Sequence, residues 1–118
     1  MIKTSLFITV FVLVIVAISC SKDNDGGSNN PPAVTCTSTK SFASDVNPII
    51  QSTCAIPTCH NAGSINGPGA LTTHKQISDN ANAIKTAVGN GTMPKTGTLT
   101  TAQKEAIICW INQGAPNN

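Results

Sequence analysis

Apolar residues along the chain follow two different patterns. Residues 6 to 18 form a continuous apolar run broken only by Thr9, whereas from Phe42 onwards apolar residues return at helical spacing between polar stretches. Between the two, residues 21 to 35, with Gly26-Gly27-Ser28-Asn29-Asn30-Pro31-Pro32 at their centre, contain little that could enter a core and predict a flexible tether. Val46, Ile49 and Ile50 stand at i, i+3 and i+4 and predict a first helix. Pro48 is tolerable there only if that helix starts just upstream, with Ser44 or Asp45 as its cap. Residues 55 to 72 are rich in Gly, Pro, Asn, Ser and Thr and predict a long loop, a feature that usually carries function in a small domain. Short helices are expected around residues 73 to 78 and 80 to 88, the second with Ala81, Ile84 and Val88 on one face and Gly89 to end it. A second loop covers residues 89 to 99. The terminal helix has the clearest signals: Thr100 and Gln103 spaced as a capping box, an apolar face of Ile107, Trp110 and Ile111, and Gly114 then Pro116 as the stop. The expectation is an all-α domain over residues 41–118, preceded by a segment at 1–19 and a tether at 20–40.

The first apolar run changes the picture of where the protein works. It follows Lys3 and is short for a retained membrane span, so residues 1–19 read as a signal peptide. Ala17-Ile18-Ser19-Cys20 places small residues before a cysteine and resembles the lipobox at which bacterial prolipoproteins are cleaved and acylated, although Ala17 stands where that motif more often has Leu. Cys20 is then the expected lipidated N-terminus, the other reading being an ordinary signal peptide cut to release a soluble protein. Ser21-Lys22-Asp23-Asn24-Asp25 is similar to short Lys/Asp-rich signals that sort lipoproteins to the outer face of the outer membrane. The expected location is the bacterial cell envelope, lipid-anchored in the outer membrane and facing the periplasm or the cell surface. Removing Lys3 leaves six of the seven basic residues against five acidic ones, a net charge of about +1, which gives no nucleic-acid footprint.

Export makes the cysteines informative, since thiols beyond the inner membrane oxidise or are modified. Cys54-Ala55-Ile56-Pro57-Thr58-Cys59-His60 is a Cys-x4-Cys-His sequence, a lengthened relative of the Cys-x-x-Cys-His haem attachment motif. In such a peptide two thiols add across the porphyrin vinyl groups, and the following histidine is carried under the iron as axial ligand. The two extra residues have to bulge, for which Pro57 is suited. A domain with Phe42, Trp110 and few Ile, Leu and Val also offers little apolar surface to offset chain entropy, so a cofactor at its centre is expected.

With these residues in place, the chain from about residue 42 to 116 resembles the monohaem class I cytochrome c family: helix, attachment motif, Gly-Pro loop, short helices, Met-Pro loop, terminal helix. The resemblance implies a cytochrome c-like fold around one covalent haem c. Its axial ligands would be His60 and Met93, the latter in Met93-Pro94 and the only methionine left after signal cleavage. It also implies that Pro68, in Gly67-Pro68, accepts a hydrogen bond from the ligand histidine through its carbonyl. Leu71 lies one position further from the proline than the family's Gly-Pro-x-Leu pattern places it. A terminal-helix aromatic has a packing role in the family, which suits Trp110.

His74 is the rival for the distal position, its plainer role being a solvated helix residue. Cys36 and Cys109 have no zinc-finger neighbours and are expected to pair, closing a loop of some 70 residues and contributing about 4 kcal/mol. The implied function is electron transfer with redox proteins by a carrier that meets the membrane through its N-terminal lipid and is not an enzyme. Two other readings stand beside it: a haem-free surface binding module stapled by Cys54–Cys59 and Cys36–Cys109, and a peroxidase-like haem enzyme in which Met93 dissociates.

Overall fold

The computed structural model describes residues 33 to 118; the expected signal peptide, Cys20 and the expected tether up to residue 32 lie outside the described residues. Every regular element among the described residues is helical. A π-helical turn, Phe42–Val46, runs directly into α1, Asn47–Thr53. The helices α2, His74–Asp79, α3, Ala81–Gly89, and α4, Thr101–Asn112, follow. The domain is thus all-α, and no described helix is long and apolar enough to cross a membrane.

The first helix starts earlier than the position of Pro48 suggests. Its cap is Ser41, whose hydroxyl accepts from the Ser44 N–H at 3.3 Å, and neither Ser44 nor Asp45 caps it. The Asp45 carboxylate instead reaches back to the Ser41 N–H at 2.7 Å. Pro48 falls at the start of α1, immediately after the wide π turn. A proline ring presses on the carbonyl four residues before it, and the wider turn gives that carbonyl room, so one continuous helical segment accommodates Pro48.

The other elements lie where the polar punctuation predicts them. Thr73 and Gln76 form a full capping box at α2, and Thr100 and Gln103 another at α4. Asn80 is both the C-cap of α2 and the N-cap of α3, so the two helices meet with no linker. Gly89 is the last residue of α3 rather than the one beyond it.

Packing centres on α4, which lies against the π turn and α3. It is buried more completely than one apolar face requires: Ala106, Ile107, Ile108, Cys109, Trp110 and Ile111 are all buried. A helix that is apolar all round is one enclosed on several sides. The enclosure comes from Phe42, Val46 and Ile50 on the first helical segment, Ile77 on α2, and Ile84 and Val88 on α3, which form one core with α4. Trp110 is fully buried, and its indole N–H donates to the Pro116 carbonyl at 2.8 Å, turning the chain back after α4. The returning tail reaches the first helix, where the Asn118 side chain accepts from the Phe42 N–H at 2.8 Å.

The packed unit also extends upstream of residue 41. Val34 packs against the core, Cys36 is disulfide-bonded to Cys109, and Lys40 pairs with Glu105 at 3.2 Å. The Cys36–Cys109 pairing expected from the sequence is therefore formed, and residues 34 to 40, assigned above to the tether, belong to the domain.

Candidate functional site

Cys54 caps α1, its N–H bonded to the Ile50 carbonyl at 2.9 Å, and from there the chain turns through a bulge. The Cys59 N–H donates to the Ile56 carbonyl at 3.1 Å and the His60 N–H to the Cys54 carbonyl at 2.9 Å, so the ends of the motif meet. Thr58 takes the positive φ of +69° that the bulge requires. Asn66 braces it from outside, donating to the Thr58 carbonyl at 2.9 Å and the Cys59 carbonyl at 3.0 Å. The two residues beyond the usual haem-attachment spacing are thereby absorbed in a closed, hydrogen-bonded loop.

His60 is buried at 6 % exposure, and its Nδ1 lies 2.9 Å from the Gly69 carbonyl oxygen. A carbonyl only accepts, so Nδ1 is the donor and Nε2 of the neutral ring carries a free lone pair. No protein group among the described residues bonds Nε2, and no buried side-chain polar atom there is left without a partner, so Nε2 opens onto accessible space. That is the protonation pattern a histidine needs to ligate a metal through Nε2, with a second partner fixing ring orientation.

The acceptor is Gly69, not Pro68 as the resemblance implies. The shift follows from the displaced leucine. Leu71 is buried at 3 % exposure, and its N–H donates to the His60 carbonyl at 2.8 Å, so the loop is registered from Leu71 backwards. The acceptor stays two residues before the buried leucine, and the extra residue moves it from the proline to the glycine. Gly69 holds φ of +101°, a conformation that side chains with a Cβ resist. Pro68 keeps a place in the site as part of its wall.

These residues face a cleft of about 750 Å³. Cys54, Cys59, His60, Pro68 and Leu71 line one part of it, and Ala83, Ile84, Ala87 and Val88 of α3 another. Ala83 and Ala87 are one helical turn apart and give α3 a wall of small side chains suited to a flat ligand. Met93 completes the lining from the loop after α3. Its N–H donates to the Ala87 carbonyl at 3.2 Å, which ties the loop to the end of that helix. The volume is within the range of about 300–1,000 Å³ usual for small-molecule and cofactor sites.

The two cysteines of the motif are free thiols, although Cys36 and Cys109 in the same chain are bonded. Burial pushes the Cys54 thiol above its ordinary value, against the lowering effect of the Thr53 hydroxyl, and neighbouring Cys59 adds to the rise. Cys54 is therefore held as the neutral thiol at neutral pH. Among the described residues no three His, Cys, Asp or Glu side chains converge closely enough to hold a metal ion between them, so Cys54, Cys59 and His60 do not form a metal cage.

His74 is half-buried and stands apart from the other candidate ligands. It lies outside the cleft lining, with its ring 4.7 Å from Phe42 and 5.9 Å from Trp110, and its Nε2 is 3.0 Å from the Ala115 carbonyl. It packs on Phe42 and Trp110 and is hydrogen-bonded to the backbone of the C-terminal tail.

Reading of the sequence did not identify Gly69, Leu71, Ala83, Ala87 or Lys95 as site residues, yet all but Gly69 line the cleft and Gly69 binds His60. The displaced Gly-Pro-x-x-Leu spacing was the available signal for Gly69, and the alanine pair at i, i+4 for the α3 wall. Comparison with protein-family models, with curated proteins and with solved structures gives no match.

Proposed function

We propose that the protein is a lipid-anchored electron carrier of the cell envelope that holds one c-type haem in this cleft. The thiols of Cys54 and Cys59 would bind it covalently, and His60 Nε2 and the Met93 thioether would be its axial ligands. The observation that supports this most is the convergence of two unbonded thiols, a histidine with Nε2 free, and a methionine on one apolar cleft. The donor set is the one covalent haem attachment needs, and the α3 wall of alanines, Ile84 and Val88 suits a flat apolar macrocycle.

Bound there, the haem supplies reversible one-electron exchange. His60, fixed through Nδ1 to Gly69, keeps its ring in one orientation and tautomer. Met93 would be the second protein ligand, and a haem held by both His60 and Met93 would serve as a carrier rather than a peroxidase-like enzyme. Leu71, Ile84 and Val88 give the cleft a buried apolar lining. Cys20 would hold the carrier at the membrane, with the tether setting its reach towards redox partner proteins.

A stapled, haem-free binding module is the competing reading. It needs Cys54 and Cys59 bonded to each other, and both are free thiols.

The test is to express the full chain in a host with periplasmic cytochrome maturation, then record the intact mass and the reduced pyridine haemochrome spectrum. A c-type α-band and a mass increased by one haem are expected. A chain without haem, carrying a second disulfide between Cys54 and Cys59, would sink the proposal.

A further inference from the structure

The cleft is lined by uncharged side chains with one exception, Lys95. Of the polar groups on its wall, the Thr53 hydroxyl donates to the Ile49 carbonyl at 2.6 Å, the Asn66 amide N–H groups are spent on the loop of residues 54 to 60, and the Thr58 and Thr96 hydroxyls are exposed and uncharged. Lys95, by contrast, has no carboxylate partner among the described residues. The three side-chain carboxylates there are otherwise occupied: Asp45 with the Ser41 N–H at 2.7 Å, Asp79 with Lys75 at 2.7 Å, and Glu105 with Lys40 at 3.2 Å. Two other lysines lie nearby and neither lines the cleft: Lys104 shares a small separate pocket with Met93 and Pro94, and Lys85 donates to the Asn112 side chain at 2.6 Å.

Haem carries two propionate carboxylates besides the vinyl groups that thiols attack. An anion brought against an apolar wall is costly unless a cation or several donors meet it. We propose that Lys95 pairs with a propionate of the bound haem, and so is a positioning residue for the cofactor. The inference rests on the haem reading and extends it: Cys54, Cys59, His60 and Met93 would hold the haem, and Lys95 would meet a carboxylate that none of them engages. A cation held there also favours the ferrous state, because reduction adds negative charge to the site.

The full chain is matured with haem, and each variant is first checked by mass and haemochrome. Zero-length carbodiimide coupling then joins any lysine amine to a carboxylate it touches, with loss of one water. After digestion, the haem peptide bearing Cys54 and Cys59 should be linked to the peptide containing Lys95, and the link should disappear in Lys95→Arg. Lys95→Gln should lower the reduction potential, and Lys85→Gln, the same charge change off the cleft, should shift it less. Haem-bearing protein whose propionates couple to another lysine, or to none, overturns the assignment, as do equal shifts in the two glutamine variants. A chain that carries no haem at the first step overturns the proposed function instead.

Discussion

Met93 reaches the cleft from a loop that is otherwise polar and largely exposed, with one backbone hydrogen bond to Ala87 holding its position. A thioether opposite histidine raises the potential of haem iron. Met93→Ala should therefore lower the midpoint potential clearly and let the ferrous protein bind carbon monoxide, both read from optical titrations. An unchanged potential would remove Met93 from the ligand set. At this scale the chemistry was legible where it depends on residue identity at short spacing: Cys54, Cys59, His60 and Met93 all face the cleft. It was not legible where backbone alone acts. The carbonyl that orients His60 belongs to Gly69 because burial of Leu71 sets the register of the loop, and register is decided by packing rather than by the identity of the accepting residue. Lys95 was passed over for a similar reason, since a lysine in a polar loop shows its importance only when every carboxylate has been assigned elsewhere.

Among the elements, α4 carries the fold. Its capping box satisfies two backbone donors at the N-terminus, with the Thr100 hydroxyl 3.2 Å from the Gln103 nitrogen and the Gln103 side chain 2.9 Å from the Thr100 nitrogen. Thr100→Ala should destabilise the domain by about 1 kcal/mol, measured by urea unfolding, whereas Thr101→Ala, one residue into the exposed first turn, should change little. Capping boxes and terminal glycines are local signals, which is why α2 and α4 could be placed from the chain alone. The start of the first helix could not. Pro48 drew attention to a cap at Ser44 or Asp45, but the π turn beginning at Phe42 lets the helix pass through that region, and its cause is the burial of Phe42 against Trp110 and His74. The burial of α4 on all sides from Ala106 to Ile111 was likewise hidden, because Ile108 and Cys109 lie outside the apolar stripe that the sequence shows.

For the molecule as a whole, the covalent bond between Cys36 and Cys109 spans 73 residues of sequence. Replacing both cysteines by serine should reduce stability by about 4 kcal/mol in the chain-entropy model, seen as a lower urea midpoint. A loss well under 1 kcal/mol would mean that the unfolded chain is not constrained by the link. The core itself proves more continuous than the count of large side chains suggested, since Leu71, Leu99 and Ala115 join the helical apolar residues in one cluster. Loop residues enter that cluster through long-range packing, which periodicity along the chain does not reveal.

The same bond decides where mechanical load travels. Tension applied between the chain upstream of Cys36 and the C-terminus passes through sulfur directly into α4, the best-buried element. The whole stretch from the attachment loop to Met93 and Lys95 lies inside the covalent ring and off that force path. Force applied to the chain upstream of Cys36 and to its C-terminus would therefore leave the contour length of the ring concealed.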